Sequence, residues 1–314
     1  MAATARKRRL APVDTWADYQ TLFVDFLEGV NRAPSTIRTY RIAVEQLTSF
    51  MREQGVLSPA EVQPAQLIAW FRHLARAKPD GAGLADTSVA QRYRSIQAFF
   101  KYLVTQEGFA QNPLANIPPP QVPDKLVPVV PLGTLDQLLG ACSGTGFEAR
   151  RDRAIIGLFI DTGIRLSEMA GLTVDDVDLE RMQLIVRGKG RIQRRVRFVR
   201  ETRMDLKRYA MERSRHARAE DSAFWLGRRG RMNGSGIYQM LKRRCRQAEI
   251  SHIHPHQLRH TFAHMYLKQG GNEGDLMNVT GWKSRSMVAR YGRSAAAERA
   301  LDAHDRFSLR KQLK

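Results

Sequence analysis

Seven of the chain's 13 prolines fall between Pro113 and Pro131, near the middle of its 314 residues. Proline fixes φ and removes a backbone donor, so neither a helix nor a central strand can run through this stretch. It reads as an extended, stiff connector that belongs to neither core. The chain must then fold as two lobes, and its length is enough for each to bury its own apolar residues. The expected divisions are a basic N-terminal arm over 1–12, a helical domain over 13–112, the proline-rich linker over 113–131 and a second domain over 132–314.

Before the linker, apolar residues recur at helical spacing. Trp16, Tyr19, Phe23 and Leu27 mark one amphipathic helix, and Ile37, Tyr40, Val44 and Leu47 mark a second. Asn31-Arg32-Ala33-Pro34 separates them, with Ser35 or Thr36 placed to cap the second. A third helix is expected from Ala65 to about Arg76 and a fourth from Ser88 to about Thr105, with Asp80-Gly81-Ala82-Gly83 as the turn between. The first lobe is therefore all-helical.

After the linker, helices are expected over Leu135–Ala141, Arg151–Asp161, Thr202–His216, Ser235–Ala248, His256–Gln269 and Ala295–Asp305. Gln183–Arg187 and Arg195–Val199 are β-rich runs joined through Gly188-Lys189-Gly190, which a hairpin explains most economically. The fold class is mainly α with a small antiparallel β-sheet, in two lobes.

Lys and Arg number 51 against 31 Asp and Glu, a net charge of +20. Residues 1–124 contribute only +3 of this, so the excess sits in the second lobe. Such a balance points to a polyanionic partner, nucleic acid first and a membrane surface second. No apolar run approaches the length of a spanning helix, and the start of the chain lacks the apolar segment of a signal peptide. Two cysteines, Cys142 and Cys245, are too few for a disulfide framework and fit a reducing cytoplasm.

The second lobe carries residue types suited to phosphate chemistry in a fixed order. Arg165 lies in Thr162-Gly163-Ile164-Arg165-Leu166-Ser167-Glu168, Lys189 between two glycines, His256 and Arg259 in His-Gln-Leu-Arg, Trp282 in Gly-Trp-Lys-Ser, and Tyr291 follows. Two guanidinium forks can hold non-bridging phosphate oxygens and stabilise the added charge of a pentacoordinate transition state. A tyrosine hydroxyl, with a pKa of about 10, attacks phosphate usefully only if a neighbour takes its proton or a cationic field stabilises the phenolate. Lys189 in a glycine-flanked turn can approach a scission site closely. His256 and Arg259, three apart on one helix face, can meet one phosphate. Trp282 can donate an indole N–H but cannot carry a proton back and forth.

Plainer readings stand beside these. Arg165 can simply pair with Glu168 three residues on, Lys189 can be an exposed turn residue, and Trp282 a core residue. Tyr238 and Tyr266 fall inside helices and read as packing residues, which leaves Tyr291 as the candidate nucleophile. His256, His260 and His264 recur every four residues, yet a zinc-protease helix needs glutamate where Gln257 stands. A Walker motif needs Ser or Thr where Gly190 stands, and no carboxylate cluster suits a magnesium pair. The chemistry is expected to need neither metal nor other cofactor.

Taken together, Thr-Gly-Ile-Arg-Leu-Ser-Glu, the run His256–Ala263 and a tyrosine nine residues after Trp282 resemble the tyrosine recombinase (phage integrase) family, at an Xer-like two-domain size. The family usually has histidine where Trp282 stands, although some members carry tryptophan. The resemblance implies a helical core-binding domain joined to a tyrosine recombinase catalytic domain, the two lobes enclosing a duplex. It implies catalytic roles for Arg165, Lys189 as general acid, His256, Arg259, Trp282 and Tyr291, with Glu168 and His260 in support. It further implies a 3′-phosphotyrosyl intermediate, specific double-stranded DNA sites, a tetrameric homo-oligomer on DNA, an accessory or directionality factor and a cytoplasmic, nucleoid-associated location. A type IB topoisomerase and a non-catalytic DNA-binding accessory protein are the rival readings.

Helix periodicity places Arg38, Arg41, Arg92, Arg94 and Lys101 on exposed faces of the first lobe, where they would meet phosphates or serve as ordinary polar positions. Lys242, Arg243, Arg244 and Arg246 mark a basic helix that could read bases or position phosphates. Either way, DNA affinity should fall steeply with salt as condensed counterions are released. A loss of about 10³-fold between about 50 and 200 mM salt, measured by fluorescence anisotropy, is the expected scale. A flat response would exclude phosphate-dominated binding.

Overall fold

Among the described residues three α-helices begin at a proline. Pro34 opens α2 (Pro34–Glu53), Pro64 opens α3 (Pro64–Ala75) and Pro255 opens α10 (Pro255–Lys268), each in the first turn where no backbone N–H has an intrahelical partner. This displaces the expected cap of α2: extended Ala33 is the N-cap, and Ser35 and Thr36 lie inside the helix. The pre-set φ of Pro34 starts the helix without a side-chain acceptor.

The computed structural model describes residues 15–76, 83–123, 128–188, 193–289, 292, 295–296, 300, 304 and 310. The basic arm, the turn residues 80–82, Lys189, Tyr291 and most of the expected final helix lie outside these. The chain divides into two compact units, Met1–Asp124 and Lys125–Lys314.

In the first unit α1 (Trp16–Gly29), α2, α3 and α4 (Asp86–Gln106) surround one apolar core. Phe23 meets Phe99 edge-on at 5.3 Å, and buried Trp16 donates its indole N–H to Val56 O at 3.1 Å. The proline-rich stretch departs from expectation here. Leu114 is 1% exposed within this core, and the Ile117 carbonyl accepts the Tyr93 hydroxyl at 2.5 Å. At its other end Val130 is buried in the second core and donates its N–H to Thr261 Oγ1 at 3.0 Å. Apolar residues set among the prolines gain by burial even where no regular structure forms.

The second unit is built around α6 (Phe147–Thr162), whose Ile155, Ile156, Leu158 and Phe159 are all buried. Apolar residues on several faces mark it as a central helix. Around it lie α5 (Leu132–Gly140), α7 (Leu166–Gly171), α8 (Arg200–Arg213), α9 (Gly234–Gln247), α10 and α11 (Glu273–Thr280). A three-stranded antiparallel sheet runs β1 (Val177–Asp178), β2 (Gln183–Arg187), β3 (Gln193–Arg197), and β4 (Leu226–Gly227) with β5 (Gly230–Arg231) forms a short hairpin. The third strand starts two residues before its expected position, because the register from Arg187↔Gln193 to Gln183↔Arg197 uses all of β2. The small elements β1, β4, β5 and α11 were not foreseen; each is too short to show a period. Among the described residues no helix is long and apolar enough to cross a membrane.

One buried carboxylate ties α9 to α6. Asp152 is fully buried; its Oδ1 accepts from Arg151, and its Oδ2 accepts from Arg243 Nη2 and Arg244 Nε, both at 2.9 Å. This corrects the expectation for Arg244, which is 8% exposed and also donates to Ala141 O at 2.9 Å, so that it does not face solvent. Arg243 is half-exposed but pairs with Asp152 and, at 3.7 Å, with Glu148. Asp152→Ala strands this buried positive charge and is expected to cost about 3–5 kcal/mol of stability, measured by urea unfolding.

Candidate active site

The first motif turns where α6 ends. Gly163 takes the left-handed conformation (φ +57°), and a Cβ there would lie 2.5 Å from the Phe262 ring, so only glycine fits. Buried Ile164 follows, and Arg165 is the extended N-cap residue of α7. Glu168 reaches back to it. Its Oε2 accepts the Arg165 N–H at 2.8 Å and its Oε1 accepts Arg165 Nη1 at 2.9 Å. The pairing foreseen as the plainer reading is therefore present, and Arg165 still lines an open cleft shared with His256.

Glu168 has a second partner that the sequence reading missed. Arg194 of β3 donates Nη1 to Oε1 at 2.8 Å and Nη2 to Oε2 at 2.9 Å, a two-pronged contact. Burial works against the charged carboxyl, but the hydrogen bonds from Arg194 and from the Arg165 backbone and side chain outweigh it, so the pKa of Glu168 is held below its ordinary range. Strand alternation could have revealed Arg194, since it shares the inward face with Val196; a strand begun at Arg195 omits it.

Arg259, from the middle of α10, is 1% exposed. It donates Nη1 to Gly163 O at 2.7 Å and Nη2 to Thr280 O at 2.8 Å, and its guanidinium lies 5.2 Å from the centre of the Trp282 ring. Trp282 itself is buried in an apolar cluster with Leu267, Leu276 and Val288, so its face packs as a core residue while meeting the cation. His256 is exposed at the start of α10 and meets the buried His260 ring edge-on at 5.0 Å.

The end of α11 gathers these cations. Val279 O accepts Arg194 Nε at 2.7 Å, Thr280 O accepts Arg259, and Gly281 O accepts Arg165 Nη2 at 3.4 Å. Three arginines from β3, α10 and the α6–α7 turn thus meet three successive carbonyls. The structure brings together Arg165, Glu168, Arg259 and Trp282, with His256 and His260 alongside; Lys189 and Tyr291 lie outside the described residues. Arg231, also unforeseen, lines the cleft with Arg165 and His256.

Of the expected DNA-contacting residues, Arg38, Arg41, Arg94, Lys101, Lys242 and Arg246 are exposed. Arg92 is half-buried and donates to Gln46 Oε1 at 2.6 Å, and Arg41 pairs loosely with Glu45 at 3.6 Å.

Compared with known families, residues 132–298 match the phage integrase family and residues 21–107 match the phage integrase N-terminal SAM-like domain. The chain belongs to the phage integrase family. One relative, tyrosine recombinase XerC of Chromobacterium violaceum, is 32% identical over 275 residues, covering 86% of this chain and 87% of that protein. A solved structure of XerA recombinase is 26% identical, with a TM-score of 0.51 over 91% of this chain and 98% of its own. The structure of XerH site-specific recombinase bound to a palindromic difH substrate is 17% identical, with a TM-score of 0.73 over 92% and 84%, a likeness of fold alone. The integrase family expected from the ordered motifs is the family found.

The depressed Glu168 pKa has a sign that can be checked. Its contribution to stability is fully present above the unfolded-state value of about 4.3 and is lost as pH falls through the lower folded-state value. Denaturant titrations from pH 6 to 3 should therefore show a shallower acid-induced loss in Glu168→Gln than in wild type, from a lower starting stability.

Proposed function

We propose that this integrase-family chain is a site-specific DNA recombinase that cuts and rejoins duplex DNA through Tyr291 without a metal. The observation that carries the reading is the convergence of Arg165 and Arg259, 94 positions apart in sequence, on the adjacent carbonyls Gly281 and Thr280 beside Trp282. Two guanidiniums so close together repel each other, and such an arrangement is worth its cost where an anion arrives. A phosphodiester is that anion.

The Tyr291 oxygen attacks the phosphorus, and the bond to the deoxyribose 5′ oxygen breaks. Arg165 and Arg259 stabilise the charge that accumulates on the non-bridging oxygens. His256 exchanges a proton with the nucleophile or holds an oxygen, and Lys189 protonates the departing 5′ oxygen. Trp282 fixes Arg259 by its ring face and offers one N–H, so proton transfer rests on His256 and Lys189. The covalent 3′-phosphotyrosyl link conserves the bond energy, and a 5′ hydroxyl from a partner strand reverses the step. Family membership supports duplex DNA as the partner and a homo-oligomer, four protomers on two sites, as the acting form, with an accessory or directionality factor and a nucleoid-associated location as further parts of the same reading.

Covalent capture of nicked duplex DNA in EDTA, followed by sequencing of the trapped fragments, tests this. Wild type should trap DNA in chelator and Tyr291→Phe should trap none. Trapping that disappears in EDTA and returns with magnesium would overturn the mechanism.

A further inference from the structure

Glu168 has room for roughly four hydrogen bonds on its two oxygens, and four donors fill them. Two come from the Arg194 fork, one from the Arg165 backbone and only one from the Arg165 side chain. A carboxylate this buried would, without Arg194, take a neighbouring guanidinium in the two-pronged geometry that such pairs favour. Arg165 is the cation already in contact with it.

We propose that Arg194 is a positioning residue that keeps Arg165 available to the scissile phosphate, by occupying the carboxylate that would otherwise draw the Arg165 fork away from the cleft. The inference rests on the reading of Arg165 as a phosphate-binding group. Charge points the same way: Glu168 carries one negative charge against two guanidiniums, and Arg194, with its side chain 12% exposed, is the more deeply held, leaving the surplus charge on Arg165 at 38%. Arg194 also fixes the second anchor of Arg165. Its Nε bond to Val279 O holds the end of α11, where Gly281 accepts Arg165 Nη2. Gly281 is left-handed (φ +68°), and a Cβ there would lie 3.2 Å from Arg194 Nη1, so the loop and the guanidinium fit as a pair.

The test is single-turnover covalent capture of nicked duplex DNA, run beside equilibrium DNA binding, on full-length variants. Arg194→Met should slow capture about 100-fold, the scale of a misplaced catalytic group, while DNA affinity stays near wild type. Arg194→Lys should fall between, because an ammonium restores the charge but not the fork. Glu168→Gln should slow capture on its own, yet in the Arg194→Met background it removes the competing charge and should recover part of the lost rate. Wild-type capture by Arg194→Met, or a double variant slower than both singles, overturns the proposal. Should Arg194→Met fail to bind DNA, Arg194→Lys decides: slowed capture with intact binding supports the role, and unchanged capture removes it. Tyr291→Phe separates the two levels, since trapping by that variant would defeat the reading of the site whatever Arg194 does.

Discussion

The last carbonyls of an α-helix have no intrahelical partners, and the helix dipole concentrates negative potential there. At the end of α11 this deficit is met by guanidinium groups: Val279, Thr280 and Gly281 each take one, from Arg194, Arg259 and Arg165. Each contact satisfies an orphan acceptor and offsets repulsion among the cations, so an eight-residue helix orders a site drawn from three other parts of the unit. The carboxylate of Glu168 completes the arrangement from the opposite side. Without the helix end, Glu168 would still hold Arg165 and Arg194 together, but Arg259 would lose its bond to Thr280.

The same device appears a second time in the unit with a different outcome. Asp152 also gathers three arginines, but Arg151 and Arg244 are buried with it and their remaining donors go to carbonyls such as Leu226 O and Ala141 O. That cluster fastens α9 to α6, and its half-exposed member, Arg243, pairs with Glu148 as well as Asp152. The cluster on Glu168 keeps one guanidinium facing the cleft. What separates a structural ion cluster from a candidate site is therefore where its exposed member stands, Arg243 against Glu148 and Arg165 beside His256, and not the count of charges.

Much of this was legible in the residues. Long helices announced themselves by period, as with Phe23, Leu27, Val44 and Leu47, and the proline concentration marked where the chain divides. The ordered motifs named the family, and Arg165, Arg259 and Trp282 do come together. The misses have physical causes. Arg244 cannot be told from a surface arginine in a string of letters, because what buries it is a carboxylate 92 residues away, and Arg194 fell outside a strand begun at Arg195. A two-turn helix and a two-residue strand show no period, so α11 and β1 stayed invisible although α11 positions the site. Leu114 and Val130 were masked by the prolines around them.

Gly163 is held from two directions: its carbonyl by Arg259, its α-carbon by the Phe262 ring. Arg259 and Phe262 stand three residues apart on α10, so one helix grips both sides of the turn that leads to Arg165. Such a joint tolerates neither an added residue nor an added methyl group. Substitution is instead tolerated on the outward surfaces of α2, α4 and α9, where exposed side chains such as Arg38, Arg94 and Arg246 can change without disturbing the junction.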